Sequence, residues 1–153
     1  MTKPDVIASL RAQLESKITV MKSALADSDE GASGDETKSE GKYDTRAIEA
    51  AYLAEAQAEQ LVLAEESLSL FLNFEAPDYE INDEIGPGAL VEVDQEGEIC
   101  FYFLAPTAGG LMTSYLGCDV TVITPDSRLY QELSEKKMGE TLESPTLSVT
   151  GIE

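Results

Sequence analysis

Between Asp27 and Gly41 the chain reads DSDEGASGDETKSEG, a polar stretch rich in carboxylates and punctuated by glycine and serine. Carboxylates gathered in this way hold a cation or present negative charge to a basic surface. The plainer alternative is a solvated connector, because Gly, Ser, Asp and Glu are the residues a flexible turn uses. The flanks bear on the choice. Both sides read as heptad-patterned helices, so the acids stand at the turn of a helical hairpin, where they would deliver negative charge to whatever the hairpin reaches.

The first helix starts at Pro4, a favoured residue for a first turn. Ile7, Leu10, Leu14, Met21 and Ala24 then follow at alternating spacings of three and four, interrupted by Lys17 and flanked by Ile18 and Leu25. After the acidic turn, Ala47, Ala51, Ala54, Ala58, Leu61, Leu68 and Leu72 repeat the rhythm with Glu65 as the polar member. Such a seam predicts an antiparallel coiled-coil hairpin over residues 1–73, with its acidic tip at 27–44. At ~1.5 Å per residue the paired region would be about 35 to 40 Å long. If the chain folds back at the middle of the turn, Lys22 faces Glu49, Lys17 faces Glu55, Arg11 faces Glu59 and Lys3 faces Glu66. Each exposed pair adds only ~0.2–1 kcal/mol, but together they favour the intramolecular register. A dimer of long helices through the same seam is the competing arrangement.

The prolines and glycines of FEAPDYEINDEIGPG mark 74–88 as a linker. Beyond it the apolar period changes to that of strands. ALVEV (Ala89 to Val93), EICFYFLA (Glu98 to Ala105), DVTVIT (Asp119 to Thr124) and TLSVTGI (Thr146 to Ile152) read as strands, with the turn Asp94 to Gly97 closing a hairpin between the first two. Thr-Pro-Asp-Ser starts a short helix, Ser127 to Leu133. The class is therefore α+β, with residues 89–153 forming a small antiparallel sheet domain covered by one helix.

The thirty acidic residues outnumber the ten basic ones, giving a net charge of −20. That excludes direct, phosphate-neutralising binding of nucleic acid, and with it sequence-specific DNA binding. Basic protein surfaces or metal ions are the partners such a chain seeks. No Lys or Arg occurs between Arg46 and Arg128, so the pair Lys136-Lys137 is a conspicuous basic spot in an acidic half. The chain contains no apolar run long enough for a signal peptide or a membrane span, which predicts a cytoplasmic protein without a membrane partner. Cys100 and Cys118 lack CxxC spacing and the chain has no His, so the common zinc sites are excluded and buried reduced thiols are expected. The glycines of Thr107 to Gly110 do not follow a strand-to-helix phosphate motif.

The order of these parts resembles the Gre family of bacterial transcript-cleavage factors. The resemblance rests on GCDVTVITPDSRLYQELSEKKMGETLE (Gly117 to Glu143), with Ser127, Leu129, Leu133, Lys136, Lys137, Met138, Gly139 and Glu140 in the family's order, and on KSEGKYDTRAIEA (Lys38 to Ala50) at the start of the second helix. Arg128 stands where the family has Pro, and Ser134-Glu135 where it has Leu-Gly. The resemblance implies an FKBP-like C-terminal domain that docks on RNA polymerase while the hairpin enters the secondary channel. There, tip acids help hold a second Mg²⁺ that activates water for hydrolysis of a backtracked transcript.

On this chain the implied tip acids are Asp35, Glu36 and Glu40, with Asp44 next, and the first three would share the Mg²⁺. Lys136 and Lys137 would touch the polymerase. The family places Glu three residues after Asp. Counting from Tyr43 gives Glu36 and Ser39, whereas counting from Gly34-Asp35 gives Asp35 and Lys38, so neither register supplies both acids. The expectation is a monomeric accessory factor, not itself an enzyme, with no stably bound cofactor, that stimulates transcript cleavage through the polymerase. The alternative is a Gre-like paralogue that occupies the same channel and competes or inhibits without cleavage. A prolyl isomerase or chaperone-like module with a coiled-coil handle is a third reading.

Overall fold

The computed structural model of the protein describes residues 2–34, 41–143 and 146–153. Two long helices, α1 (Lys3–Gly34) and α2 (Gly41–Asn73), precede strands β1 (Leu90–Gln95), β2 (Glu98–Leu104), β3 (Met112–Tyr115) and β4 (Cys118–Ile123). Helix α3 (Arg128–Leu133) and strands β5 (Thr141–Glu143) and β6 (Thr146–Ile152) complete the order. The architecture is the expected α+β one, a pair of helices followed by a mostly antiparallel sheet with one short helix. No helix among the described residues is long and apolar enough to cross a membrane.

The six strands run in the order β3-β4-β2-β1-β6-β5. One junction departs from the antiparallel expectation, because β2 and β4 pair in parallel, Phe101 beside Val120 and Phe103 beside Val122. The reason is β3, a strand absent from the sequence reading. It forms a hairpin with β4, Tyr115 facing Cys118, and so reverses the chain before β4 meets β2. β3 reads MTSY and lacks an alternating apolar face, which is why its pattern is silent. The expected β1–β2 hairpin is present, Gln95 facing Glu98 across a two-residue turn.

Strand pleating gives the sheet two apolar faces. On one, Val91, Val93, Leu104 and Ile123 pack with Tyr130 and Leu133 of α3, joined by Leu147, Val149 and Ile152. The other carries Phe101 and Phe103, and Phe103 is fully buried. Phe71 and Phe74, at the foot of α2, meet Phe103 with ring centroids 6.3 and 6.0 Å away. At the foot of α1, Val6 and Leu10 are also fully buried, and the Ser9 and Thr113 hydroxyls share a hydrogen bond of 2.7 Å.

The chain divides into two compact units that correct the boundaries at 73 and 89. One unit comprises Met1–Ala12 with Ser69–Glu153, and the other Gln13–Leu68. Burial of the helix feet is the physical reason, since it makes them part of the sheet unit. The segment 74–88, read as a linker, is integral to the same unit. Ile85 is buried, its N–H donates to the Lys136 carbonyl and its carbonyl accepts from Glu135, both at 2.8 Å. Gly88 has φ +82°, and a Cβ there would lie 2.6 Å from Ala76 Cα, so only glycine fits.

In the helical unit the register differs from the charge ladder. Lys22 pairs with Glu65 at 3.3 Å, more than four turns beyond Glu49, and no ion pair joins Lys17 to Glu55 or Arg11 to Glu59. Lys3 also lies far from the role expected of it, bonding in the sheet unit to the carbonyls of Pro77 and Glu153. Exposed pairs worth a fraction of a kcal/mol do not set a helix register against apolar packing. The apolar seam keeps much of the expected line, Ala54, Ala58, Leu61 and Leu68 being half-buried. α1 buries Val6, Leu10, Leu14 and Ile18, and on α2 the inward line is Leu61, Ala64, Leu68 and Phe71, leaving Glu65 and Leu72 exposed.

Replacing Phe103 with Ala removes the ring that both Phe71 and Phe74 meet and leaves a cavity. The expected loss is about 3–5 kcal/mol in urea unfolding. A loss below ~1 kcal/mol would contradict the anchoring of α2 through this residue.

Candidate functional site

Of the expected site residues, Asp35, Glu36 and Glu40 lie outside the described residues, and with them the Mg²⁺ ligands. Asp44 falls within the span of α2, but its side chain is likewise outside what the structure describes. Among the described residues no group of three acidic or cysteine side chains gathers where a metal ion would sit.

Lys136 and Lys137 are described, and their surroundings explain how the local sequence presents them. α3 starts where Thr-Pro-Asp-Ser predicts. The Thr124 hydroxyl donates to the Asp126 carboxylate, and Ser127 Oγ accepts from the Tyr130 N–H at 3.0 Å as the N-cap. After Leu133 the chain leaves the helix through Glu135, at φ +70°, into a two-way bond with Ile85. That bond holds the main chain of Lys136 on the segment before β1, and its side chain is half-buried.

Lys137 opens a turn closed by Glu140. The Glu140 N–H donates to the Lys137 carbonyl at 3.1 Å, and the Glu140 carboxylate accepts from the Lys137 N–H at 2.6 Å. Gly139, at φ +93°, supplies the left-handed residue that such a turn needs at its third position. Its N–H donates to Val149, and the Val149 N–H donates to Glu140, fastening the turn to β6. The Lys137 side chain is exposed. Arg128 is neutralised by Glu132 at 2.9 Å, whereas neither Lys136 nor Lys137 forms an ion pair among the described residues. The two lysines are thus a positive spot on a rigid turn, able to meet an acidic surface.

Lys3 is the cation that sequence reasoning misplaced. It is only 6% exposed, its Nζ donates to Pro77 O at 2.7 Å and to Glu153 O at 2.8 Å, and it lies 5.3 Å from the centre of the Tyr79 ring. Burial lowers its pKa from the ordinary lysine value, against the opposing pull of Asp78 and Glu153. No pattern around Lys3 signals this, because its acceptors are main-chain oxygens 74 and 150 residues away. The Tyr115 hydroxyl donates to the Glu153 carboxylate at 3.1 Å, so the same C-terminal residue is held twice.

The cysteines are half-buried, less enclosed than expected, and both are free. Burial raises the pKa of the Cys100 thiol, which disfavours the reactive thiolate.

No protein-family model and no curated protein matches the chain. Among solved structures it is similar to GreA factor homolog 1 (Gfh1) of Thermus thermophilus, with a TM-score of 0.37 and 13% identity over 94% of each chain. It is likewise similar to Gfh1 of Thermus aquaticus, with a TM-score of 0.35 and 15% identity over 93% of this chain and 92% of the other.

Two outcomes test this geometry. Lys3→Ala removes two hydrogen bonds, leaving Glu153 O with the Leu90 N–H and taking the Nζ partner from Pro77 O, and is expected to cost about 1–3 kcal/mol of stability, measured by urea unfolding. The pH dependence has a definite sign. Burial is the leading cause that raises the phenol pKa values of Tyr79, Tyr102, Tyr115 and Tyr130 above 10.0. The folded chain then keeps protons that the unfolded chain releases, so this stability is present below pH 10 and is lost as pH rises through the folded values. Lys3, shifted down, works in the opposite sense but is one group against four. The expected result is falling stability above about pH 10, with native phenolate absorbance appearing at higher pH than in the urea-unfolded chain.

Proposed function

We propose that this chain regulates transcription elongation in the manner of the Gre family, binding RNA polymerase through its sheet unit and presenting the acid-rich connection between α1 and α2 to the secondary channel. It performs no chemistry alone. The support is the order of parts within one chain, and above all the segment Gly117 to Glu143. Its family-like residues form β4, the Ser127-capped α3 and the Lys137–Glu140 turn, in that order. Lys136 and Lys137 supply a positive contact, and Asp35, Glu36 and Glu40 supply the acids that would share a Mg²⁺ with the polymerase.

One observation favours the second reading. In neither register do two acids fall at the family's three-residue spacing, because Ser39 or Lys38 takes the second place. A chain of this kind would occupy the channel and compete with cleavage factors, or inhibit synthesis, without supplying the ligand pair.

A stalled, backtracked polymerase distinguishes the two. Added protein that stimulates transcript cleavage, with loss of stimulation in the triple variant Asp35→Ala, Glu36→Ala, Glu40→Ala, supports the first reading. Blocked cleavage by a true cleavage factor, without stimulation, supports the second. Absence of both effects, together with failure to bind the polymerase, refutes the proposal. Lys136→Ala with Lys137→Ala is expected to weaken polymerase binding by roughly tenfold, about 1.4 kcal/mol, while leaving the fold intact.

A further inference from the structure

The helical unit carries an apolar groove along one side. Val20, Met21 and Ala24 of α1 and Ala56, Gln57 and Gln60 of α2 line a cavity of about 300 Å³. Leu53 lies three residues before Ala56 and Leu63 three after Gln60, so both extend the α2 side of the groove at helical spacing. They are 58% and 57% exposed, and Val20 is 65% exposed. Ala24 and Ala56, one on each helix, are small enough to leave room for a third backbone to come close. An exposed apolar track of this length on a soluble helix pair marks an interaction surface, and its i, i+3, i+7, i+10 spacing suits another helix.

Charge selects the occupant. Glu49 continues the groove line one turn before Leu53, and Glu59 borders it beside Gln60. Neither forms an ion pair among the described residues, and α2 contains no Lys or Arg after Arg46. On the α1 side Lys17 lies one turn before Val20 and Met21. A second copy of this chain would set Glu49 and Glu59 against its own acidic α2 and would add another −20 of charge. Like-charge apposition of that kind disfavours self-association.

We propose that this groove docks an amphipathic helix of a partner protein, with an apolar face of leucine-like residues and a Lys/Arg-rich edge lying against α2. Docking would complete a three-helix arrangement in which Leu53, Leu63 and Val20 leave solvent and Glu49 and Glu59 gain cationic partners. The inference goes beyond the polymerase reading, since it concerns the sides of the helices and not their connection, and it is tested without polymerase.

The test uses the full chain and a labelled three-heptad helical peptide, leucine at its a and d positions and lysine at the flanking ones, followed by fluorescence anisotropy. A second peptide carries glutamate in place of lysine. The lysine peptide is expected to bind at micromolar concentration, and the glutamate peptide at least roughly tenfold more weakly. Leu53→Gln with Leu63→Gln is expected to weaken the lysine peptide by a similar factor without lowering the thermal midpoint, because both positions are exposed. Ile81→Gln with Met138→Gln, which removes exposed apolar side chains in the sheet unit, is expected to leave binding unchanged. Absence of binding, equal binding of the two peptides, or binding insensitive to the groove variant overturns the proposal. So does a concentration-dependent dimer of the full chain that the groove variant abolishes, which would assign the groove to a second copy.

Discussion

The sheet's second apolar face must be covered, and the feet of the two long helices cover it. Phe103 is fully buried there, in contact with Phe71 and Phe74, and Val6 and Leu10 at the foot of α1 are fully buried as well. At ~25 cal/mol per Å² of apolar area, each fully buried Phe or Leu side chain contributes about 1.5–3 kcal/mol, more than an exposed ion pair at ~0–1 kcal/mol. Lys3 closes the arrangement. Its ammonium is tolerated under cover because two main-chain oxygens and an aromatic ring surround it.

This anchoring explains why the compact units do not follow the chain in order. The sheet unit takes residues from both ends of the helical region, because α1 and α2 begin and end on the same face. Within the helical unit, Lys22 pairs with Glu65, and Leu53 and Leu63 are exposed beside the groove.

Local sequence was a good guide wherever local chemistry decides. The α3 start was legible in Thr124 to Ser127 because the capping bonds are made within four residues. The β1–β2 hairpin was legible because Val91 and Val93 alternate with Glu92 and Asp94 ahead of a Gly97 turn. The seam of α1 was read nearly correctly, since Leu10 and Leu14 are buried in any register. β3 and β5 escaped because short edge strands with mixed residues leave no periodic trace. Segment 74–88 escaped because its prolines and glycines, normally signs of a linker, here serve close packing around Gly88. For the site, Lys136 and Lys137 were visible as isolated positive charge, and the structure adds the turn that presents them.

The sequence by itself determined the α+β class, the helical pair, the segregation of charge and the presence of an acid-rich connection between helices. These follow from composition, periodicity and capping, which act over a few residues. Only the tertiary structure decided the parallel β2–β4 pairing, the register of the helices and the burial of Lys3. The first depends on the β3 hairpin, which brings together residues 19 apart such as Phe101 and Val120, and the other two on partners more than forty residues apart. No local pattern encodes that choice of partners, because it is made by the total apolar surface removed from water when the whole chain folds.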